Sequence, residues 1–134
     1  MSVRSAIARL LALVLAVAVG LAGCTDSATG LSGNYRQDTL AVLDTLERAI
    51  ELPPSDPQKE ALQAQARQQI DEYIALYRRD ADVSGLRSFT TMRTALNTLA
   101  GHYSGSIQRP VPEEVQARLK RKFAQVRSAL QRDA

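Results

Sequence analysis

The sequence predicts an all-α fold, an antiparallel up-down-up-down four-helix bundle. Three observations carry that expectation. Apolar residues return at three- and four-residue steps in four separate segments. Proline, glycine and serine punctuate the chain between those segments. No stretch alternates apolar and polar residues between hairpin signals, as a pair of strands would. Four amphipathic helices with short connections bury their apolar stripes most simply against one another.

The first helix is expected over Tyr35 to Glu51, with Tyr35, Thr39, Val42, Leu43, Leu46 and Ile50 on one side. Pro53 and Pro54 end it, because proline has no amide hydrogen and cannot continue a helix. Ser55 or Asp56 is the expected N-cap of the second, with Pro57 in its first turn. Its stripe is Leu62, Ala66, Ile70, Tyr73, Ile74 and Tyr77. It fades at Arg78-Arg79, where basic residues suit the negative end of a helix dipole. Asp82-Val83-Ser84-Gly85 reads as a turn. The third helix then carries Leu86, Phe89, Met92, Leu96, Leu99 and Tyr103, with Gly101 as its expected stop. Residues 104–110 form a Gly/Ser/Pro loop. The fourth helix starts near Pro112, with Glu113 and Glu114 at its positive end. Val115, Leu119, Phe123, Val126 and Leu130 make its seam. Asp44 and Arg48 are spaced for an i, i+4 pair on the first helix, worth about 0.3–0.5 kcal/mol.

The first 23 residues do not belong to that domain. Arg4 and Arg9 precede the apolar run Leu10 to Val19, and Leu21-Ala22-Gly23-Cys24 follows it. A basic start, a short apolar stretch and small residues at the cut make a secretory signal. The cysteine turns it into a lipoprotein signal, with a diacylglyceryl group on the Cys24 sulfur and cleavage before it. The run is too short for a spanning helix, which needs about 20 apolar residues. Two or three acyl chains anchor far better than one, since each buried CH₂ adds about 0.8 kcal/mol. Residues 24–32 are small and polar, and read as a lipidated flexible tether. The bundle domain is expected over 33–134, on the outer, non-cytoplasmic face of a membrane.

Composition narrows the chemistry. The chain of 134 residues has 17 Lys and Arg against 14 Asp and Glu. The leader takes two arginines with it, so the mature domain is almost neutral, which argues against nucleic acid as a partner. Cys24 is the sole cysteine and is used by the anchor, so packing must supply the stability. His102 is the sole histidine and lies off the apolar stripe of its helix. No Glu-x-x-His pattern builds a bundle metal centre. Asp80 and Asp82 could share a cation in their turn, but the glycine and distal glutamate of an EF-hand loop are missing. No serine or threonine has a base placed beside it by spacing. The expectation is a non-enzyme with no cofactor and no metal. Basic residues offer more. Arg118, Arg121, Lys122 and Arg132 fall along one flank of the fourth helix, either as a solvated face or as a docking surface for an acidic partner.

Several runs of the sequence resemble one known family. Gly33-Asn34-Tyr35, Asp38-Thr39-Leu40, the Leu52-Pro53 stop and Tyr77-Arg78-Arg79 are among them. The longest is Gly85-Leu86-Arg87-Ser88-Phe89-Thr90-Thr91-Met92, continuing through Thr94-Ala95-Leu96-Asn97 to Leu99-Ala100-Gly101-His102-Tyr103. These are similar to the small lumenal lipoproteins of photosystem II assembly and repair, and the lipobox fits the cyanobacterial, lipid-anchored branch. The resemblance implies a monomeric four-helix bundle on the lumenal face of the thylakoid membrane. It implies binding to photosystem II core intermediates that lack a functional manganese–calcium cluster, through the lumenal loop of an inner chlorophyll-binding antenna subunit. Arg87, Arg93 and His102, off the stripe of the third helix, join Arg118, Arg121 and Lys122 as candidate partner-binding residues. A competing reading is a periplasmic lipoprotein that binds a small ligand or metal, with a polar cavity inside the bundle or an ion near Asp80 and Asp82.

Overall fold

A computed structural model describes residues 29–103 and 110–133. It is helical throughout, with four long helices and one short one. They are α1 (Tyr35–Glu51), α2 (Lys59–Tyr77), α3 (Ala81–Ser84), α4 (Arg87–Tyr103) and α5 (Glu113–Asp133). The packing pairs α1 with α2 and α4 with α5, and joins the two hairpins through α1 and α5. Helices alternate in direction, as the short connections require. The core is Val42, Leu43, Leu46 and Ile50 of α1, Leu62, Ala66 and Tyr73 of α2, Phe89, Met92, Leu96 and Leu99 of α4, and Leu119, Phe123 and Val126 of α5. Most of the expected stripe is in it. Ile70, Ile74, Leu86, Tyr103 and Val115 are half-buried at its margin.

Three local expectations need correction. Helix α2 starts later than Ser55 or Asp56: its N-cap is Gln58, which makes no side-chain cap. Asp56 instead closes the turn ahead of the helix, its carboxylate accepting from the Gln58 amide at 2.8 Å. Asp82 to Ser84 is helical, in α3, because the Asp80 carboxylate accepts from the Asp82 amide at 2.9 Å and Val83 is buried beneath it. Gly101 does not stop α4. It sits inside the helix without the positive φ that suits glycine to a C-cap.

The tether expectation also changes. The last residues of 24–32 lie packed on the bundle as a strap. Leu31 is buried in the core, and the Gln69 side chain donates to the Thr29 carbonyl at 2.8 Å. The Thr29 hydroxyl is hydrogen-bonded to Glu72. Small polar residues are compatible with a flexible tether, yet a single leucine among them is enough to find the groove between α1 and α2. Gly30 and Gly33 have φ of 75° and 86°, a conformation that costs glycine nothing and bends the strap.

Candidate functional site

Two regions carry the polar chemistry of the domain. The first is buried, where α1 and α4 begin and α2 and α5 end. Asp38 is only 1 % exposed. Its carboxylate accepts from the Ser32 amide at 2.7 Å, the Ser32 hydroxyl at 2.8 Å, the Gly33 amide at 2.9 Å and the Tyr77 hydroxyl at 2.5 Å. Burial by itself would raise its pKa. The two amides and two hydroxyls outweigh burial and hold it below the ordinary carboxylate value. Burial and the Asp38 charge push the Tyr77 phenol up, so it stays protonated and donates. The buried Tyr73 hydroxyl shares a hydrogen bond of 2.9 Å with Thr39. Tyr35 reaches α4, its hydroxyl 2.6 Å from that of Ser88.

The same cluster closes on α5. The Ser88 amide is one of the unpaired donors at the start of α4, and it donates to the Asp133 carboxylate at 3.1 Å. Arg36 donates to the Leu130 carbonyl at 3.2 Å, one of the orphan acceptors at the end of α5. Tyr35, Tyr73, Tyr77 and Phe89 stack around the knot with centroids 5.1–6.4 Å apart. Four of the chain's six aromatic residues are spent here. Ser88, off the apolar stripe of its helix, is fully buried and structural.

The second region is exposed. On α5 the basic residues divide between two flanks. Lys120 and Arg127 face α1. Lys120 pairs with Glu51 at 2.9 Å, and Arg127 grips Glu47 with both terminal nitrogens, at 2.5 and 3.0 Å, while reaching Asp44 at 3.3 Å. Asp44 therefore turns to α5, and Arg48 is not its partner. The hydrogen bonds from Arg127 to Glu47 come first among the causes that raise its pKa further.

Arg118, Lys122, Gln125, Ala129 and Arg132 repeat at i, i+4, i+7, i+11 and i+14 on the opposite flank, towards α4. Arg121 lies beside that row. Gln125, Ala129 and Arg132 share a surface groove of about 240 Å³ with Arg87 and Thr91 of α4. Thr91, Ala95 and His102 follow one another at i, i+4 and i+11, so His102 belongs to the α4 side of the same seam. Arg118 is answered weakly by Glu114 at 3.5 Å, both well exposed. Among the described residues Arg87, Arg121 and Lys122 make no ion pair.

The six candidate partner-binding residues are thus not one patch. Arg87, His102, Arg118, Arg121 and Lys122 border the α4–α5 seam. Arg93 does not: it lies on the other side of α4, its guanidinium 6.0 Å from the centre of the Phe89 ring. Cys24 lies outside the described residues. Asp80 is engaged as the cap of α3, and among the described residues no group of His, Cys, Asp or Glu is arranged to hold a metal ion. No described helix is long and apolar enough to cross a membrane.

Comparison with known proteins places this geometry. The family model described as Photosystem II Pbs27 matches residues 1–130. The chain belongs to the Photosystem II Pbs27 family. It is 51 % identical to the photosystem II lipoprotein Psb27 of Synechocystis sp. over 96 % of both chains. It is 52 % identical to the photosystem II assembly factor lipoprotein Psb27 of Thermosynechococcus vestitus over 92 % of both. The solution structure of Psb27 from cyanobacterial photosystem II superposes with a TM-score of 0.74 at 50 % identity, covering 81 % of this chain and 95 % of that one. The family's fold is therefore the bundle described above, and the buried knot is the frame on which this member presents its basic seam.

Proposed function

We propose that this protein is a photosystem II assembly and repair factor, anchored through lipid on Cys24 to the lumenal face of the thylakoid membrane. It binds transiently to core intermediates lacking a functional manganese–calcium cluster, through the lumenal loop of an inner chlorophyll-binding antenna subunit, and acts as a monomer without catalysing a reaction. The observation that carries this reading is family membership over almost the whole chain, with curated relatives that are named photosystem II lipoprotein and assembly factor. The α4–α5 seam supports it physically. Exposed Arg87 and Arg121 and half-buried Lys122, which make no ion pair among the described residues, speed encounter with an acidic surface and add less to residence time, which suits a factor that must leave. The anchor raises local concentration, so a modest interface is enough.

Affinity purification of the C-terminally tagged, natively processed protein from detergent-solubilised membranes tests the assignment. Co-purification of photosystem II core subunits without the mature extrinsic subunits is the expected result. Recovery of envelope proteins, or of no partner, rejects it. The mass of the same purified protein reports the acyl groups on Cys24.

A further inference from the structure

We infer that the strap at residues 29–33 fixes how the domain sits on its membrane: the α1–α2 face lies towards the lipid and the basic α4–α5 seam points away from it. The inference rests on the lipid anchor at Cys24 proposed above. Its own evidence is where the strap is held. From Gly33, docked on Asp38 near the end of α2, the chain runs back along the α1–α2 groove to Thr29, docked on Gln69 and Glu72. Between Thr29 and Cys24 there are five residue steps, which span at most about 16–18 Å fully extended. The bundle is two helix layers deep, about 20 Å across. A leash of that length cannot carry Cys24 around the bundle to the opposite face.

The surface beside the strap suits the placement. Farther along the same groove lie Arg48, Gln58, Ala61, Leu62 and Gln65, with one charge among them. Leu76 continues the row of Gln69 and Glu72 at i+7 and is 44 % exposed. The opposite face carries Arg87, Arg118, Arg121, Lys122 and Arg132. In this bundle α1–α2 and α4–α5 are opposite edges, so an anchor held at one presents the other to the aqueous side. The docked strap thereby turns a lipid anchor into an orienting device: the partner-seeking charges face the compartment in which a soluble loop can meet them.

Cys24 itself provides the test. The mature chain, coupled through Cys24 to a maleimide lipid in phosphatidylcholine–phosphatidylglycerol nanodiscs, is observed by amide NMR with a nitroxide headgroup lipid present. Because the coupling is chemical, the outcome does not depend on natural lipidation, which the mass of the membrane-extracted protein decides separately. Resonances of Arg48, Ala61 and Gln65 should lose several-fold more intensity than those of Thr91, Gln125 and Arg132. Equal losses, or greater loss on the seam, would overturn the inference. Inserting about ten Gly/Ser residues between Cys24 and Thr29 lengthens the leash without touching the fold. The asymmetry should then disappear; if it persists, the strap is not what orients the domain.

Discussion

The two ends of the bundle are closed by different chemistry. At the end where α1 starts, hydrogen bonds tie α1 to α2 through Asp38 with Tyr77 and Thr39 with Tyr73, α1 to α4 through Tyr35 with Ser88, and α4 to α5 through the Ser88 amide on Asp133. At the other end prolines do the work. Pro53 has no amide hydrogen, so the Ala49 carbonyl loses its normal helical donor. Lys59 supplies the replacement: only 8 % exposed, it lays its ammonium on that carbonyl. Burial lowers the Lys59 pKa, so the charge is held there at some cost. An open surface groove of about 370 Å³ lies beside it, lined by Pro54, Pro57, Gln63 and Pro110. One end is a network in which each group satisfies another; the other is a repair of a single broken helix bond. Networks fail together, and repairs fail alone.

The largest effect should therefore come from Asp38. Asp38→Ala strands the Tyr77 hydroxyl and two strap amides, and is expected to cost about 3–5 kcal/mol by urea denaturation. A cost below about 1 kcal/mol would mean the knot is not cooperative. The pH dependence carries the same signature. The folded pKa of Asp38 lies below the unfolded value of about 4, so its stabilisation is complete above that value and is lost as pH falls through the folded pKa. Asp38→Asn should flatten that acid-side decline in a series of unfolding curves.

Single strands of the knot come next. Tyr35→Phe and Ser88→Ala should each cost about 1 kcal/mol, and the double variant less than their sum. Asp133→Ala, which removes the cap from the start of α4, should cost about 1 kcal/mol. Strict additivity in the cycle between Tyr35 and Ser88 would show that their hydroxyls do not act on each other.

These differences also explain what could be read in the sequence. Helix number, order and most of the core followed from the spacing of Leu, Ile, Val and Phe, because burial of an apolar stripe is a local and periodic demand. The knot could not be read that way. Asp38, Ser88 and Asp133 are polar, far apart in sequence, and meet only once the helices are packed. Several runs by which the family resemblance is seen, Gly33-Asn34-Tyr35, Asp38-Thr39, Tyr77 and Ser88-Phe89, turn out to supply this knot. Gly33 provides the positive φ, Asn34 caps α1 through the Gln37 amide at 3.0 Å, and the rest hold Asp38 or one another. Their distinctiveness has a structural cause, which leaves less of that block for docking than off-stripe position alone implied. The basic flank of α5 was legible from spacing. Its division into a side paired with α1 and an open side was not, since pairing depends on which helix lies next to it.

At the proline end the expected effect is small. Lys59→Met removes a buried charge and also the donor to the Ala49 carbonyl. The two changes oppose each other, and the net should fall within about 1 kcal/mol of zero. The pH dependence separates them. With a lowered folded pKa, Lys59 binds its proton less readily in the fold than in the unfolded chain. The wild-type bundle therefore gains stability as pH rises between those two values, and Lys59→Met should lack that gain. A loss of several kcal/mol would place this end on a par with the knot.

The smallest effect on stability belongs to the open seam. Arg121→Gln with Lys122→Gln should move the unfolding midpoint by no more than about 0.5 kcal/mol, because neither residue has an ion pair to lose among the described residues. Capture of membrane partners by the tagged protein should nevertheless fall at low salt, and the deficit relative to wild type should narrow as salt is raised, since exposed charges act through a screened field. Arg93→Gln is the matched control for Arg121→Gln alone: it removes an equal charge from the other side of α4, where the guanidinium covers Phe89. If the control weakens capture as much as that single seam variant, net charge rather than the seam governs binding. If only the seam variant does so, the energetically idle surface of the bundle is the one that recognises the partner.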